Sequence, residues 1–539
     1  MTVSFGDETA AEAAASAVGT LVREGVPAAL AAGDASLWGP EAADEAARRL
    51  GWLRLPETSR ELLPEITRLV ERARAEGLDH VVLAGMGGSS LAPEVICDTA
   101  DAPLTVLDTT DPGQVRRALE DRLDRTIVVV ASKSGGTVET DSHRRIYDKA
   151  FRDAGIDPAG RIVVVTDPGS PLEAVAREAG YPLVLADPDV GGRYSALSAF
   201  GLVPSALAGA DVERLLDEAA SVRGLLAEGE GNPGLELGAA LGAAAAAGRD
   251  KLILEDGLSQ INGLPDWIEQ LVAESTGKSG TGILPVVDAD PTGADDEIVA
   301  SIDGEGAIEV SAPLGAQFLI WEYATAVAGR MLGINPFDQP NVAESKENTA
   351  ALLAAGVPQE KPVLVDGPVE VYGELAGPAH DLSGVLTGLL KAIPDDGYLA
   401  ILAFLDRWSA FDVPTPEDAA LDELTEAWAA ADPATLRPLL AARTDRPVTF
   451  GWGPRYLHST GQFHKGGPQY GVFLQITGAI PDGADIEVPG KPYTLGALQL
   501  AQALGDFGAL VKRGRPAVRV HLTDRVAGVT HLLAAARQV

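Results

Sequence analysis

Alternating strand and helix signals along the 539 residues predict an α/β protein with mainly parallel sheets covered by helices on both faces, a doubly wound, three-layer αβα design. Three observations carry this expectation. Short runs at 80–84, 104–107, 126–130, 161–165 and 183–185 are apolar on both faces, as strands buried between two helical layers must be. Helical periodicities fall between and before them, with Leu62, Ile66, Leu69 and Val70 on one face of the first. Two of the strands, at 80–84 and 126–130, run directly into turns rich in glycine and serine that open helices.

Taken in order, residues 1–60 read as an N-terminal helical extension, with an Ala/Glu-rich opening and an apolar set at Leu21, Val22 and Val26. Residues 61–210 hold the five strand signals and form a first α/β unit. A helical stretch from Asp211 to Gly248 leads into a second, larger unit, 211–539, with insertions. Its strand signals lie near 251–254, 283–287, 362–365, 398–403, 447–450, 471–476 and 517–521. Leu314-Gly315-Ala316 and Leu495-Gly496-Ala497 each open a long apolar helix, a faint echo that agrees with two stacked α/β units. The Pro/Gly/Asp-rich segments 285–294 and 355–380 read as surface connections.

Composition narrows the function. With 46% hydrophobic residues the chain can bury a large core. Its net charge is −36, from 42 basic and 78 acidic residues, which disfavours nucleic acid and anionic membrane as partners. An anionic ligand must then be met by a local concentration of donors. Cys97 is the one cysteine, so no intrachain disulfide and no cysteine-based metal site can form, and a reduced, cytoplasmic setting is expected. The opening MTVSFGDETAAEAAA lacks the basic start and apolar core of a leader, and the longest small-apolar run, 235–248, is interrupted by Glu236.

The two turns are the chemical signal. Behind 126–130 comes ASKSGGTVET, with Ser132, Lys133, Ser134 and Thr137; behind 80–84 comes GMGGSS, with Gly87, Gly88 and Ser89. Backbone N–H groups at a helix start are unpaired and partly positive, so hydroxyls and glycines there make a donor nest for a phosphate. Either turn alone would pass for an ordinary helix cap. Two of them in one parallel sheet point at one edge, where such folds bind ligands.

Four further segments complete the pattern. VGGRYS places Arg193 behind two glycines, which permit close backbone approach. WIEQLVAESTGK sets Gln270 and Glu274 one helical turn apart, on one face, before a break at Gly277. GINPFDQPNVAESK is a loop leading into a helix with Lys346, and GWGPRYLHSTGQFHKGGP gathers His458 and His464 among glycines. Each residue has a plainer reading: Glu274 as a solvated helix-end acid, Arg193 and Lys346 as surface ion-pair partners, His458 as a packing residue beside Tyr456, Lys133 as a brace for its own loop.

Together the six blocks, spread from 85 to 465, resemble the phosphoglucose isomerase family. GMGGSS is similar to its G-x-G-G-S turn, SKSGGT to its phosphate loop, GGRYS to its arginine turn, and ESTGK, INPFDQPNVAESK and HSTGQ to the blocks bearing its glutamate, lysine and histidine. The resemblance implies two sugar-isomerase (SIS-type) domains and a cytoplasmic enzyme of glycolysis and gluconeogenesis. The implied reaction interconverts glucose 6-phosphate and fructose 6-phosphate through a cis-enediolate, without cofactor or metal. It assigns catalysis to Glu274, His458, Lys346 and Arg193, and substrate binding to Gly87, Gly88, Ser89, Ser132, Lys133, Ser134, Thr137 and Gln270. It also implies a homodimer in which the histidine comes from the neighbouring subunit.

One departure stands out: the histidine block follows the lysine block here, as in the isomerase half of fused transaldolase and phosphoglucose isomerase proteins, and nothing resembles the transaldolase half. The changed order leaves both His458 and His464 as candidates for ring opening. Two other functions fit the same turns: a dual phosphoglucose and phosphomannose isomerase, and a sugar-phosphate-sensing module with no use for Glu274, Arg193 or Lys346.

Overall fold

The computed structural model describes residues 1–356, 360–377, 379–412 and 421–539. Its strands fall into three sheets. The first runs, in spatial order, Thr105–Leu107, His80–Gly85, Thr126–Ala131, Ile162–Thr166 and Leu183–Leu185, all parallel. Numbered along the chain this is the order 2-1-3-4-5, which reverses direction between His80–Gly85 and Thr126–Ala131 and leaves a crevice beyond their carboxyl ends. Gly85 pairs with Ala131, so the GMGGSS and SKSGGT turns leave adjacent strands at one edge. The helices Leu91–Thr99 and Val138–Asp153 follow them, as the turns predict.

The α/β class and the parallel sheets hold, but the 211–539 stretch contains two sheets where one was expected. Lys251–Glu255, Leu284–Val286, Glu297–Ile302 and Ile308–Ser311 form the second, with Thr2–Ser4 of the N-terminal extension added antiparallel at its edge. Tyr398–Phe404, Val448–Trp452, Gly471–Gly478 and Ala517–Leu522 form the parallel part of the third, and the antiparallel pair Leu364–Asp366 and Val369–Tyr372 extends it. The two sheets meet through side chains, not through hydrogen bonds: Ile253, Leu284 and Val286 share an apolar cluster with Tyr398, Ala400, Leu402 and Phe404. The segment 355–380, read as a surface connection apart from the strand signal near 362–365, thus holds the two strands of the antiparallel pair.

The echoed Leu-Gly-Ala triplets do open the two long helices, Leu314–Met331 and Leu495–Lys512. The first is buried almost along its whole length and packs on Pro233–Ala246. Small residues make this contact possible, because a Cβ at Gly238 would lie 2.6 Å from the Ala324 carbonyl oxygen. The second packs against Val342–Ala355, the helix that bears Lys346. No helix among the described residues is long and apolar enough to cross a membrane.

Candidate active site

At the crevice of the first sheet the two turns meet segments from the other units. Gly87 is left-handed, with φ of 54°, and a Cβ there would lie 2.6 Å from Gln270 Nε2 and 2.8 Å from the His458 carbonyl oxygen. At Gly88 a Cβ would sit 1.9 Å from the Gly192 carbonyl oxygen. Both positions therefore need glycine, because the turn is wedged between the glutamine helix on one side and the Arg193 turn on the other. Ser89 is buried in the same turn.

Glu274 sits near the end of the helix Leu264–Thr276, its side chain 12% exposed. Gln270, one turn earlier, donates from Nε2 to Glu274 Oε2 at 3.1 Å and to the His458 carbonyl at 2.7 Å. One amide thus ties the glutamate to the histidine segment. Arg193 NH1 lies 3.3 Å from Glu274 Oε1. The remaining guanidinium donors are held: Nε by Ser275 Oγ at 2.7 Å, NH2 by the carbonyls of Pro336 at 2.7 Å and Asp338 at 3.0 Å, and NH1 also by Gln339 Oε1 at 3.0 Å. A buried guanidinium gripped on every edge is a rigid cation, not a surface ion-pair partner.

Beside this group lies a cavity of about 240 Å³, lined by Thr137, Glu139, Lys346, Leu457, His458 and Gln502 among others. His458 Nε2 is 3.1 Å from Glu139 Oε1, which also accepts from Gln502 Nε2 at 2.6 Å. Burial alone would raise the Glu139 carboxyl, but the His458 ring and the Lys346 charge outweigh it and bring it down to about 2. An ionised carboxylate at Nε2 fixes the ring and leaves Nδ1 for other partners.

The phosphate loop is partly self-bonded. Ser132 Oγ donates to Thr137 Oγ1 at 3.0 Å, and exposed Ser134 Oγ accepts from Gly136 N at 3.3 Å. Neither Thr137 nor Ser90 caps its helix through the side chain, so the first-turn amides of both helices keep donors for a ligand. Lys133 behaves as a brace: its ammonium meets Asp167 Oδ2 at 2.6 Å and the Asp187 carbonyl at 3.3 Å. Among the described residues no group of three or more His, Cys, Asp or Glu is placed to hold a metal ion.

Comparison with known proteins matches part of the chain to one family. The family description "Phosphoglucose isomerase" fits residues 70–283, which contain the first four blocks. The glucose-6-phosphate isomerase of Rubrobacter xylanophilus is 30% identical over 390 residues, covering 56% of this chain and 89% of that protein. The chain belongs to the phosphoglucose isomerase family. A probable glucose-6-phosphate isomerase of Haloarcula marismortui is 37% identical over 212 residues, 38% of this chain and 49% of that protein. The chain spans about half the length of several such curated relatives. A crystal structure of a glucose-6-phosphate isomerase from Chlamydia trachomatis aligns with 60% of this chain and 76% of that one at 20% identity, with a TM-score of 0.48.

The family match ends before the lysine and histidine blocks, where the two histidines occupy different environments. His464 is 2% exposed, hydrogen-bonded through Nδ1 to the Tyr398 hydroxyl at 2.9 Å, and packed among Tyr398, Tyr456 and Phe473. Desolvation, helped by Lys465 and Arg515, holds it well below the usual imidazole value. Only His458 faces the cavity. Within this chain its carbonyl accepts from Gln270 and its ring meets Glu139. Glu139 and Gln502 were not singled out by sequence: Glu139 sits inside the phosphate-loop stretch, but no local spacing ties it to a ring 319 positions away.

Proposed function

We propose that the protein interconverts glucose 6-phosphate and fructose 6-phosphate. The observation that carries this reading is the Gln270 amide, which joins Glu274, backed by Arg193, to the His458–Glu139 pair beside Lys346. Aldose–ketose isomerisation needs these groups together. His458 and Lys346 move the protons that open the ring. Glu274 then takes the proton from the carbon next to the carbonyl and returns it to the former carbonyl carbon, while a proton passes between the two oxygens, so no redox partner is required. Arg193 stabilises the negative charge of the enediolate, a preorganised electrostatic effect of the kind that dominates many such reactions. Ser89, Ser132, Ser134, Thr137 and the open amides hold the phosphate, fixing the sugar for the chemistry. One chain suffices for this site, in a cytoplasmic pathway of hexose phosphate metabolism.

The test supplies fructose 6-phosphate and follows glucose 6-phosphate through a coupled dehydrogenase, with activity per chain measured over a dilution series. Turnover at constant specific activity is expected. Binding of 6-phosphogluconate without turnover would identify a sensing module, and equal turnover of mannose 6-phosphate would identify a dual isomerase.

A further inference from the structure

The turn Asn335–Gln339 connects three parts of the site. It receives Arg193 through the Pro336 and Asp338 carbonyls and the Gln339 amide, and it leads into the helix that carries Lys346. A second cation grips it from the other side. Lys278 Nζ donates to the Asn335 carbonyl at 2.7 Å, the Asp338 carbonyl at 2.6 Å and Asp338 Oδ1 at 2.7 Å. The Asp338 carbonyl is therefore shared between Lys278 and Arg193.

We infer that Lys278 is a positioning residue for isomerisation, acting through this turn to hold the Arg193 guanidinium against Glu274 and to fix the start of the Lys346 helix. Its own ammonium is excluded from proton transfer by stoichiometry: three N–H donors meet three acceptors, and the side chain is 3% exposed. Its backbone is fixed as well. Lys278 bridges to Thr281, and Gly277 before it lies so close to Phe463 that a Cβ would come within 2.4 Å of the Phe463 Cα. Neutralising the ammonium removes charge-assisted bonds to two carbonyls and a carboxylate, and leaves Arg193 alone to hold the turn. A misplacement of about 1 Å at a catalytic group can lower turnover about 10²-fold.

The charged groups that face Lys278 are Arg193 from the arginine turn, Asp338 from the gripped turn and Glu274 from the helix before it. Burial and then the Arg193 charge lower its ammonium to about 8, against the pull of Asp338 and Glu274. The positioning charge is thus present at neutral pH and lost as pH rises through about 8.

This inference rests on the proposed isomerisation, so the experiment has two readouts. In the full-length protein, Lys278→Met should lower kcat about 10²-fold while 6-phosphogluconate affinity changes less than about threefold. Lys278→Arg, charged at every accessible pH, should restore most of kcat and shift the basic limb of the kcat profile above that of wild type. Amide exchange in residues 335–339 should quicken in Lys278→Met and return toward wild type in Lys278→Arg, whether or not the wild type isomerises hexose phosphates. Unchanged exchange in the Met variant would overturn the grip on the turn. Unchanged kcat in a Met variant with fast exchange, or a basic limb that does not move in the Arg variant, would overturn the link to catalysis. Should the Met variant fail to fold, the pH limb and exchange of the Arg variant decide alone.

Discussion

The first and third sheets wind their parallel strands in the same order, yet their carboxyl edges do opposite work. In the first, the strands at the reversal end in Gly87, Gly88, Ser89 and in Ser132 to Thr137, small donors that leave the crevice open. In the third, the first strand ends in Asp406 and Arg407, which close onto the first unit: Asp406 on Arg117, Arg407 on Glu94 at 3.1 Å. Arg455 reinforces the closure through Glu94 at 2.5 Å and Asp108 at 2.9 Å. Winding decides where an edge points, and the side chains at the reversal decide whether it receives a ligand or a neighbour. The third sheet still reaches the ligand edge, through the loop after its outermost strand, Val448–Trp452, which delivers His458.

The most severe break should come from the residue that belongs to neither edge. Glu274, on a helix of the second unit, is the base in this reading, and Glu274→Gln keeps its shape while removing its basicity. General-base steps contribute about 10²- to 10⁴-fold, so kcat should fall by at least that factor. Affinity for 6-phosphogluconate should stay, and exchange of the sugar's alpha proton with solvent should vanish together with turnover. Exchange continuing at the wild-type rate would move the base elsewhere.

Arg193 tests the rigid side of the comparison. Lysine in its place keeps the charge but cannot reach Ser275, Gln339 and two carbonyls at once. Arg193→Lys should lower kcat about 10²-fold with little change in analogue binding. Equal loss of both would mean that Arg193 holds the ground-state phosphate.

How far this was legible in sequence follows the same division. The first unit's long apolar strands and its two turns stood out because its three central strands are buried on both faces. Ile308–Ser311 and Val369–Tyr372 went unread, being short and alternating with acids such as Glu309 and Glu370, which leave one face partly exposed. Gln270, Glu274 and Arg193 were legible because helical spacing and glycine flanks are local. Glu139 was not, since its meaning lies in a contact between units.

That contact can be cut directly. Glu139→Gln keeps an acceptor for Gln502 but removes the negative charge facing His458, and kcat should fall about tenfold, less than the about 10²- to 10⁴-fold of a group that itself moves a proton. Stability gives an independent reading. Because the folded Glu139 carboxyl lies at about 2, below its ordinary value of 4.5, its contribution is complete above about 5 and is lost as pH falls toward 2. The Gln variant should lose less stability than wild type over that window in denaturant titrations. Parallel curves would show that the pair adds no net stability.

The smallest effect is expected six residues beyond His458, where the two histidines of one segment separate by environment. His464 touches aromatic side chains of the third sheet and does not line the cavity, and its ring bonds to the Tyr398 hydroxyl. His464→Phe retains the ring and loses that bond, at a cost of about 1 kcal/mol. Turnover should stay within about twofold of wild type, whereas His458→Asn should lower it by about 10² or more. The pH dependence has a definite sign. A histidine held neutral below its ordinary value supports the fold above about 6.5, and that support is lost as pH falls and the unfolded chain takes up the proton first. The Phe variant has no such proton to take up, so its stability should decline less between about pH 6.5 and 5. If His464→Phe abolishes turnover while melting near the wild-type temperature, the histidine of the site has been misassigned and the cavity beside Glu139 is not where the ring opens.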